Sequence, residues 1–427
     1  MIRGRGSMKD SKIAIVLLFV LVILFSAGQG LAKDILIGYS GPLQGVAAEY
    51  GQDVGNGIEM AVQEVNEAGG IKIKGEIYKL RLEKLDDRVD PTRALSNARR
   101  FQEQGAIAVF NSVFTTVAPM TRINTEKGRE FILVAYTSSP KLSETSNRLM
   151  VMPQPFTSYV EIHTNWARYV KGWKTCATLI TLGAYGDEWR AAFRAAWEKK
   201  GGTITVEKPA NYYAETDFSA PLTAALATKP DCLLVGGPSG PTALVIEQAR
   251  ALGFKGGFIM IDQAKQDYIA ELLRNEALLG DMIGVAGLDA FPPYPGQNFG
   301  ERYRKRYSNR KPTWECTVPY VYMHALAKAI AIAQTPHDVY KIREALPKAF
   351  PMAGDKYPAE SLGMNEEGRF YGWCIVQKRT KGKADPPELY AWWPRSQEEF
   401  ERYKAMSKVS PTLKPRQKWL WAKDRNY

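Results

Sequence analysis

The chain has 427 residues, with 57 basic and 45 acidic side chains and a formal charge of +12. That length exceeds one ordinary hydrophobic core and predicts two domains. The positive charge is scattered rather than gathered into a stripe interleaved with aromatics, which predicts a solvated basic surface and no nucleic-acid partner.

Residues 1–32 read as a secretory signal peptide. Lys9 and Lys12 form a basic start, with Met8 as the working initiator, and Ile13–Phe25 is an apolar run too short for a comfortable membrane span. Gly30-Leu31-Ala32 is small-x-small, which predicts cleavage after Ala32 and export to the periplasm. An uncleaved anchor is the competing reading. No cysteine lies near this site, so a lipoprotein is not expected.

Asp34–Gly70 reads as strand, glycine-rich loop, helix. Ile35-Leu36-Ile37 has the apolar run of a strand buried on both faces. Ile58, Ala61, Val62 and Val65 form one stripe of a helix that Gly69-Gly70 would end. Strands over Tyr78–Leu85, Ala106–Phe110 and Phe131–Ala135 alternate with helices starting at Asp90-Pro91 and spanning Thr115–Lys127. Met150–Pro155 breaks the rhythm as a crossover, and a second alternating set follows. Its strands are Thr175–Leu182, Thr203–Val206, Cys232–Val235 and Phe258–Ile261; its helices are Trp189–Lys199, Phe218–Thr228 and Thr242–Leu252. Leu279–Gly287 reads as a return strand, then helices at Asn298–Ser308, Pro319–Ala333 and Val339–Ala345. An antiparallel pair, Arg369–Gln377 with Glu388–Trp393, comes last. The fold class is therefore α/β, two doubly wound lobes. A basic, aromatic tail, 396–427, either forms a peripheral helix with an extended end or is partly disordered.

The loops at strand carboxyl ends carry hydroxyls, aromatics and glycines, the equipment for holding a small molecule between lobes. They do not suit catalysis. His163 and His324 fall within helices and His337 follows a proline. Gly237-Pro238-Ser239-Gly240-Pro241 approaches a nucleophile elbow, but its frame fails at Pro241. Asp86-Asp87 reads as a solvated turn in preference to a metal or acid/base pair. Cys176, Cys232, Cys316 and Cys374 include no C-x-x-C pair, so neither a zinc nor a redox site is expected. Cys176 and Cys232 fall in strands that pair if adjacent, as a disulfide or as buried thiols.

The run I-G-x-S-G-P-L…G…N-G-x-x-x-A-V-x-E-V-N-x-A-G-G-I, from Ile37 to Ile71, resembles the leucine/isoleucine/valine-binding family of type I periplasmic binding proteins. Leu85-Asp86-Asp87…Asp90-Pro91, Tyr185-Gly186 and Asp217-Phe218-Ser219 carry the same likeness, which covers about residues 34–380. The resemblance implies two α/β lobes joined by three crossovers, with lobe 1 at 33–153 and 285–366 and lobe 2 at 154–284 and 367–395. It implies a monomeric receptor, without enzyme activity, cofactor or metal. Such a receptor closes on an amino acid or related small carboxylate and delivers it to an ABC permease in the inner membrane. A sensor of aromatic or aliphatic acids or amides, signalling through a membrane partner, is the alternative; an exported hydrolase is the remote one.

Carried onto this sequence, the family's ligand positions fall on Tyr50 in the first loop and on Phe114, Thr115 and Thr116 after one strand. They continue with Tyr136, Thr137 and Ser138 after the next, and with Tyr185 in lobe 2; Ser239 joins the candidates as a hydroxyl at a strand's carboxyl end. Phe114 stands where a serine is usual, unless the alignment shifts by one to Thr115. The acid that receives a ligand amine falls at Asp262-Gln263, with Gln263 on its position and Asp262 beside it. A glutamine there leaves two outcomes open: an amino-acid ligand if Asp262 points inward, or a ligand without an amine.

Overall fold

The computed structural model describes residues 33–145, 147–288, 298–352, 356–391, 398 and 401. The expected signal peptide lies outside these residues, as does almost all of the tail.

Strand β1 (Lys33–Gly41) is apolar because helices cover both faces: Ile35 and Ile37 enter one core cluster and Leu36 another. Helix α1 (Ala48–Glu67) buries Val54, Ile58, Ala61 and Val62, and two glycines with positive φ, Gly69 and Gly70, turn the chain out of it. A hairpin of β2 (Ile71–Ile73) and β3 (Glu76–Asp86) leads to α2 (Pro91–Glu103), where the Asp90 carboxylate accepts from the Arg93 N–H. Then come β4 (Ala108–Asn111), α3 (Phe114–Met120), β5 (Ile132–Ala135) and β6 (Met150–Val151). The six strands order β2-β3-β1-β4-β5-β6.

The chain then passes to a second layer set: α4 (Thr157–Asn165), β7 (Thr175–Ile180), α5 (Ala184–Lys199), β8 (Thr203–Glu207), α6 (Ser219–Leu226) and β9 (Cys232–Gly236). It continues through α7 (Ser239–Ala251), β10 (Gly257–Met260), α8 (Gln266–Leu273) and β11 (Met282–Val285). It returns to the first lobe with α9 (Phe299–Arg306), α10 (Trp314–Ala333) and α11 (Val339–Ala345), and α10 lies along α1. A last passage reaches β12 (Trp373–Thr380), β13 (Lys383–Ala384) and β14 (Glu388–Ala391). The second sheet orders β13-β12-β11-β10-β9-β7-β8, with β14 antiparallel on β12. Two doubly wound lobes thus share three connections.

Several expected boundaries move, each for a local reason. The helix expected over Thr115–Lys127 ends at Met120, one residue past Pro119. Tyr185 belongs to the first turn of α5 and Ser239 to that of α7, rather than to the loops before them. Helix α10 begins at Trp314, before Pro319, because Thr313 caps it and Pro319 falls early in the helix. Asp87 is not a solvated turn residue. It is fully buried and accepts from the Ser40 hydroxyl at 3.0 Å, the Asn111 amide at 3.0 Å and the Val89 N–H at 2.9 Å. Cys176 and Cys232 are register partners on β7 and β9, and all four cysteines are buried free thiols.

Candidate functional site

The segments that leave β4 and β5, with Tyr50 in the first turn of α1, line a cavity of about 150 Å³ together with those that leave β7 and β10. By volume it holds on the order of ten water-sized groups. Tyr50, Phe114, Thr115, Tyr136, Thr137 and Ser138 line it from the first lobe. Tyr185, Asp262 and Gln263 line it from the second. Thr116 and Ser239 are the two expected site residues outside the lining. Thr116 is fully buried, and its hydroxyl donates to Asn111 Oδ1 at 2.7 Å within the first turn of α3. The Ser239 hydroxyl accepts from the Lys265 N–H at 3.0 Å. Both are spent on organising loops.

Asp262 stitches the two walls together. Its Oδ1 accepts from Trp189 Nε1 at 3.0 Å and from the Tyr185 hydroxyl, and its Oδ2 accepts from the Ser138 hydroxyl at 2.5 Å. Ser138 and Tyr185 also meet at 2.9 Å. Burial first, and then the Asp262 charge, hold the Tyr185 phenol well above its ordinary range. The phenols of Tyr50, Tyr136 and Tyr159 are raised chiefly by burial, with Asp262 adding to each. Asp262 therefore sits amid a ring of tyrosines, and among the described residues no ion pair is formed by its carboxylate. Gln263 is also buried; its Nε2 donates to the Tyr213 hydroxyl at 2.7 Å, which leaves Oε1 as an acceptor without a protein donor.

Lys265 and Glu315 form a buried ion pair at 2.8 Å, each side chain 5% exposed. Lys265 Nζ also donates to the carbonyls of Asp262 at 2.6 Å and Gln263 at 3.1 Å. Burial raises the Glu315 carboxyl and the Lys265 ammonium pulls it back. Lys265 follows β10 of the second lobe and Glu315 opens α10 on the first, so the pair spans the cleft. Two rim contacts do the same: the Gly240 N–H donates to Glu49 Oε1 at 3.1 Å, and the Ser139 hydroxyl donates to Glu188 at 2.8 Å. Arg369, in the third connection, donates to the carbonyls of Ser139 and Pro153 and to the Ser143 hydroxyl.

Tyr159, Tyr213, Lys265, Trp314, Glu315 and Tyr322 line the cavity without having been expected there. They come from a crossover helix, a loop after a short strand, and the face of α10. The available signal was Lys265, three residues past Asp262, and the tyrosines of α10 at spacings of two. The histidines lie elsewhere: His163 is fully buried in α4 and pushed down to about 3 by that burial, and His324 sits on α10, pushed down to about 4. Among the described residues no cluster of ligating side chains could hold a metal ion.

Comparison with known proteins fits this geometry. The family described as "Periplasmic binding protein" matches residues 34–365. A Leu/Ile/Val-binding protein homolog of Brucella melitensis is 29% identical over 238 residues, 55% of this chain and 63% of its own length, so the match spans less than two thirds of that relative. A second homolog, from Brucella suis, is 26% identical over 82% of this chain and 91% of its own. The crystal structure of a leucine-binding protein from Thermotoga maritima superposes with a TM-score of 0.68 at 21% identity, over 83% of this chain and 98% of its own. A solute-binding protein of R. palustris in complex with benzoate gives 0.67 at 15% identity, over 84% and 96%. The chain belongs to the periplasmic binding protein family and has the two-lobed fold of its type I members.

Proposed function

We propose that this protein captures a small zwitterionic α-amino acid in the interlobe cavity. The lobes, with boundaries near 33–153 plus 285–366 and 154–284 plus 367–395, close on it by hinge motion and present it to an ABC permease after export. The observation that carries the reading is Asp262, a cavity-lining carboxylate that accepts from three neutral donors and, among the described residues, forms no ion pair. Asp262 is half-buried, and a ligand that shuts it off from water must bring a charge-assisted partner, which an α-ammonium supplies. Gln263 Oε1 adds a second acceptor for the same group. The hydroxyls of Thr115 and Thr137 are donors for the ligand's carboxylate.

Charge also argues against a ligand that is only an anion. The one lysine in the lining is committed to Glu315 and two carbonyls, and Asp262 would repel an added negative charge. The test is a thermal-shift screen of amino acids beside their deaminated and decarboxylated analogues. Amino acids are expected to raise the melting temperature where both analogues fail. Equal stabilisation by a deaminated acid would overturn the reading.

A further inference from the structure

We propose, resting on the amino-acid reading above, that the ligand's side chain is an aromatic ring rather than a branched aliphatic chain. The first-lobe wall is a flat pair, Tyr50 and Tyr136, with ring centroids 6.5 Å apart and planes 26° from parallel. Tyr185 and Tyr213 line the cavity from the second lobe, and Trp314 and Tyr322 line it from α10. The polar ends of most of these rings are satisfied by the protein itself. The Tyr50 hydroxyl donates to the Ser112 carbonyl at 3.0 Å, and Trp314 Nε1 donates to the Ala286 carbonyl at 2.7 Å. The Tyr185 hydroxyl donates to Asp262, and the Tyr213 hydroxyl accepts from Gln263. With the tips anchored, faces and edges are what the rings offer to a ligand.

Anchored rings are rigid walls, and their shape selects. A flat ring can pack offset or edge-on against several of them at once, whereas a branched chain leaves gaps where two flat walls meet. Each well-formed ring pair adds roughly two- to tenfold in affinity beyond area burial. The aliphatic side chains of the lining, Val113, Leu182, Val285, Val318 and Ile375, come from five separate segments of the chain. Tyr136 is the ring to assign: it lies in the wall, its phenol is held far above its ordinary range by burial, and it stacks on Tyr50.

Calorimetry on the mature chain decides this, with L-phenylalanine, L-tyrosine and L-tryptophan set against L-leucine, L-isoleucine and L-valine. At least one aromatic amino acid is expected to bind tenfold or more tightly than every branched-chain one. Binding of any branched-chain amino acid as tight as the best aromatic overturns the inference. Binding of 3-phenylpropionate or benzoate with none of the six amino acids overturns the amino-acid reading and leaves the aromatic assignment standing; silence from all eight overturns both. Tyr136→Leu is expected to narrow the ratio of aromatic to leucine affinity by about tenfold, and an unchanged ratio removes Tyr136 from the selective wall.

Discussion

Three donors converge on the Asp262 carboxylate, two from the second lobe and one from the first. Asp262→Asn keeps the shape and deletes the charge, and one face of the new amide would point N–H groups at donors. Amino-acid affinity is expected to fall roughly 30- to 1,000-fold, the worth of truncating one side of a buried charge pair, about 2–4 kcal/mol. Calorimetry reads this directly, and unaltered affinity would remove Asp262 from the site. Asp87 makes a different statement. Its carboxyl is pushed up to about 6, mainly by burial, against an ordinary value near 3.8. The folded state therefore holds this proton where the unfolded chain has released it. Its contribution to stability falls as pH rises from about 4 through 6 and is level above that. Asp87→Asn is expected to flatten that part of the stability–pH curve, measured by urea unfolding against the unaltered chain; an identical slope would contradict the assignment. Of the residues expected from sequence, Tyr50, Tyr136, Ser138, Tyr185 and Asp262 line the cavity, near the strand ends where α/β sheets gather ligands. Thr116 and Ser239 follow strand ends too, yet the Thr116 hydroxyl turns back on Asn111 and the Ser239 hydroxyl takes the Lys265 N–H of the segment after β10, and sequence alone does not tell a loop-organising hydroxyl from a ligand-facing one.

At the scale of elements, α1 and α10 meet so closely that Gly57 is required. A Cβ on Gly57 would stand 2.0 Å from the Cys316 carbonyl oxygen, a backbone atom that cannot swing away. Gly57→Ala is expected to cost about 1–3 kcal/mol by forcing the helices apart, despite alanine's better helix propensity. A melting temperature at or above that of the unaltered chain would show that the crossing can relax. The start of α10 was hidden in the sequence by Pro319, which normally argues against a helix interior. The alternation of strands and helices was legible because β1, β4, β5, β7, β9 and β10 are buried apolar runs set between helices, whereas the strand order was not. The joining of β12 and β14 to the second sheet was legible only as a local pair, since nothing in a strand's own pattern names its neighbour.

The whole molecule is divided by the cleft that Lys265 and Glu315 bridge. Both are almost completely buried at 2.8 Å, and both would regain water if the lobes swung apart. Removing one member leaves an uncompensated charge, a penalty of about 3–5 kcal/mol when it cannot be relieved. If the lobes open as proposed, opening relieves it. The penalty is therefore expected to fall on closure, and so on ligand affinity, rather than on the melting temperature of the individual lobes. Lys265→Met and Glu315→Gln should each weaken amino-acid binding by about 100-fold or more while leaving the unfolding transition of the ligand-free chain within a few degrees. Lys265→Met combined with Glu315→Leu removes both charges and should regain a large part of the loss, because an apolar pair carries no desolvation debt. Calorimetry on the two singles and the double closes the cycle. Small-angle scattering with and without ligand reads the closure itself, with the singles expected to contract less than the unaltered chain. Additive losses with normal contraction would mean that the pair braces one fixed arrangement rather than a moving one.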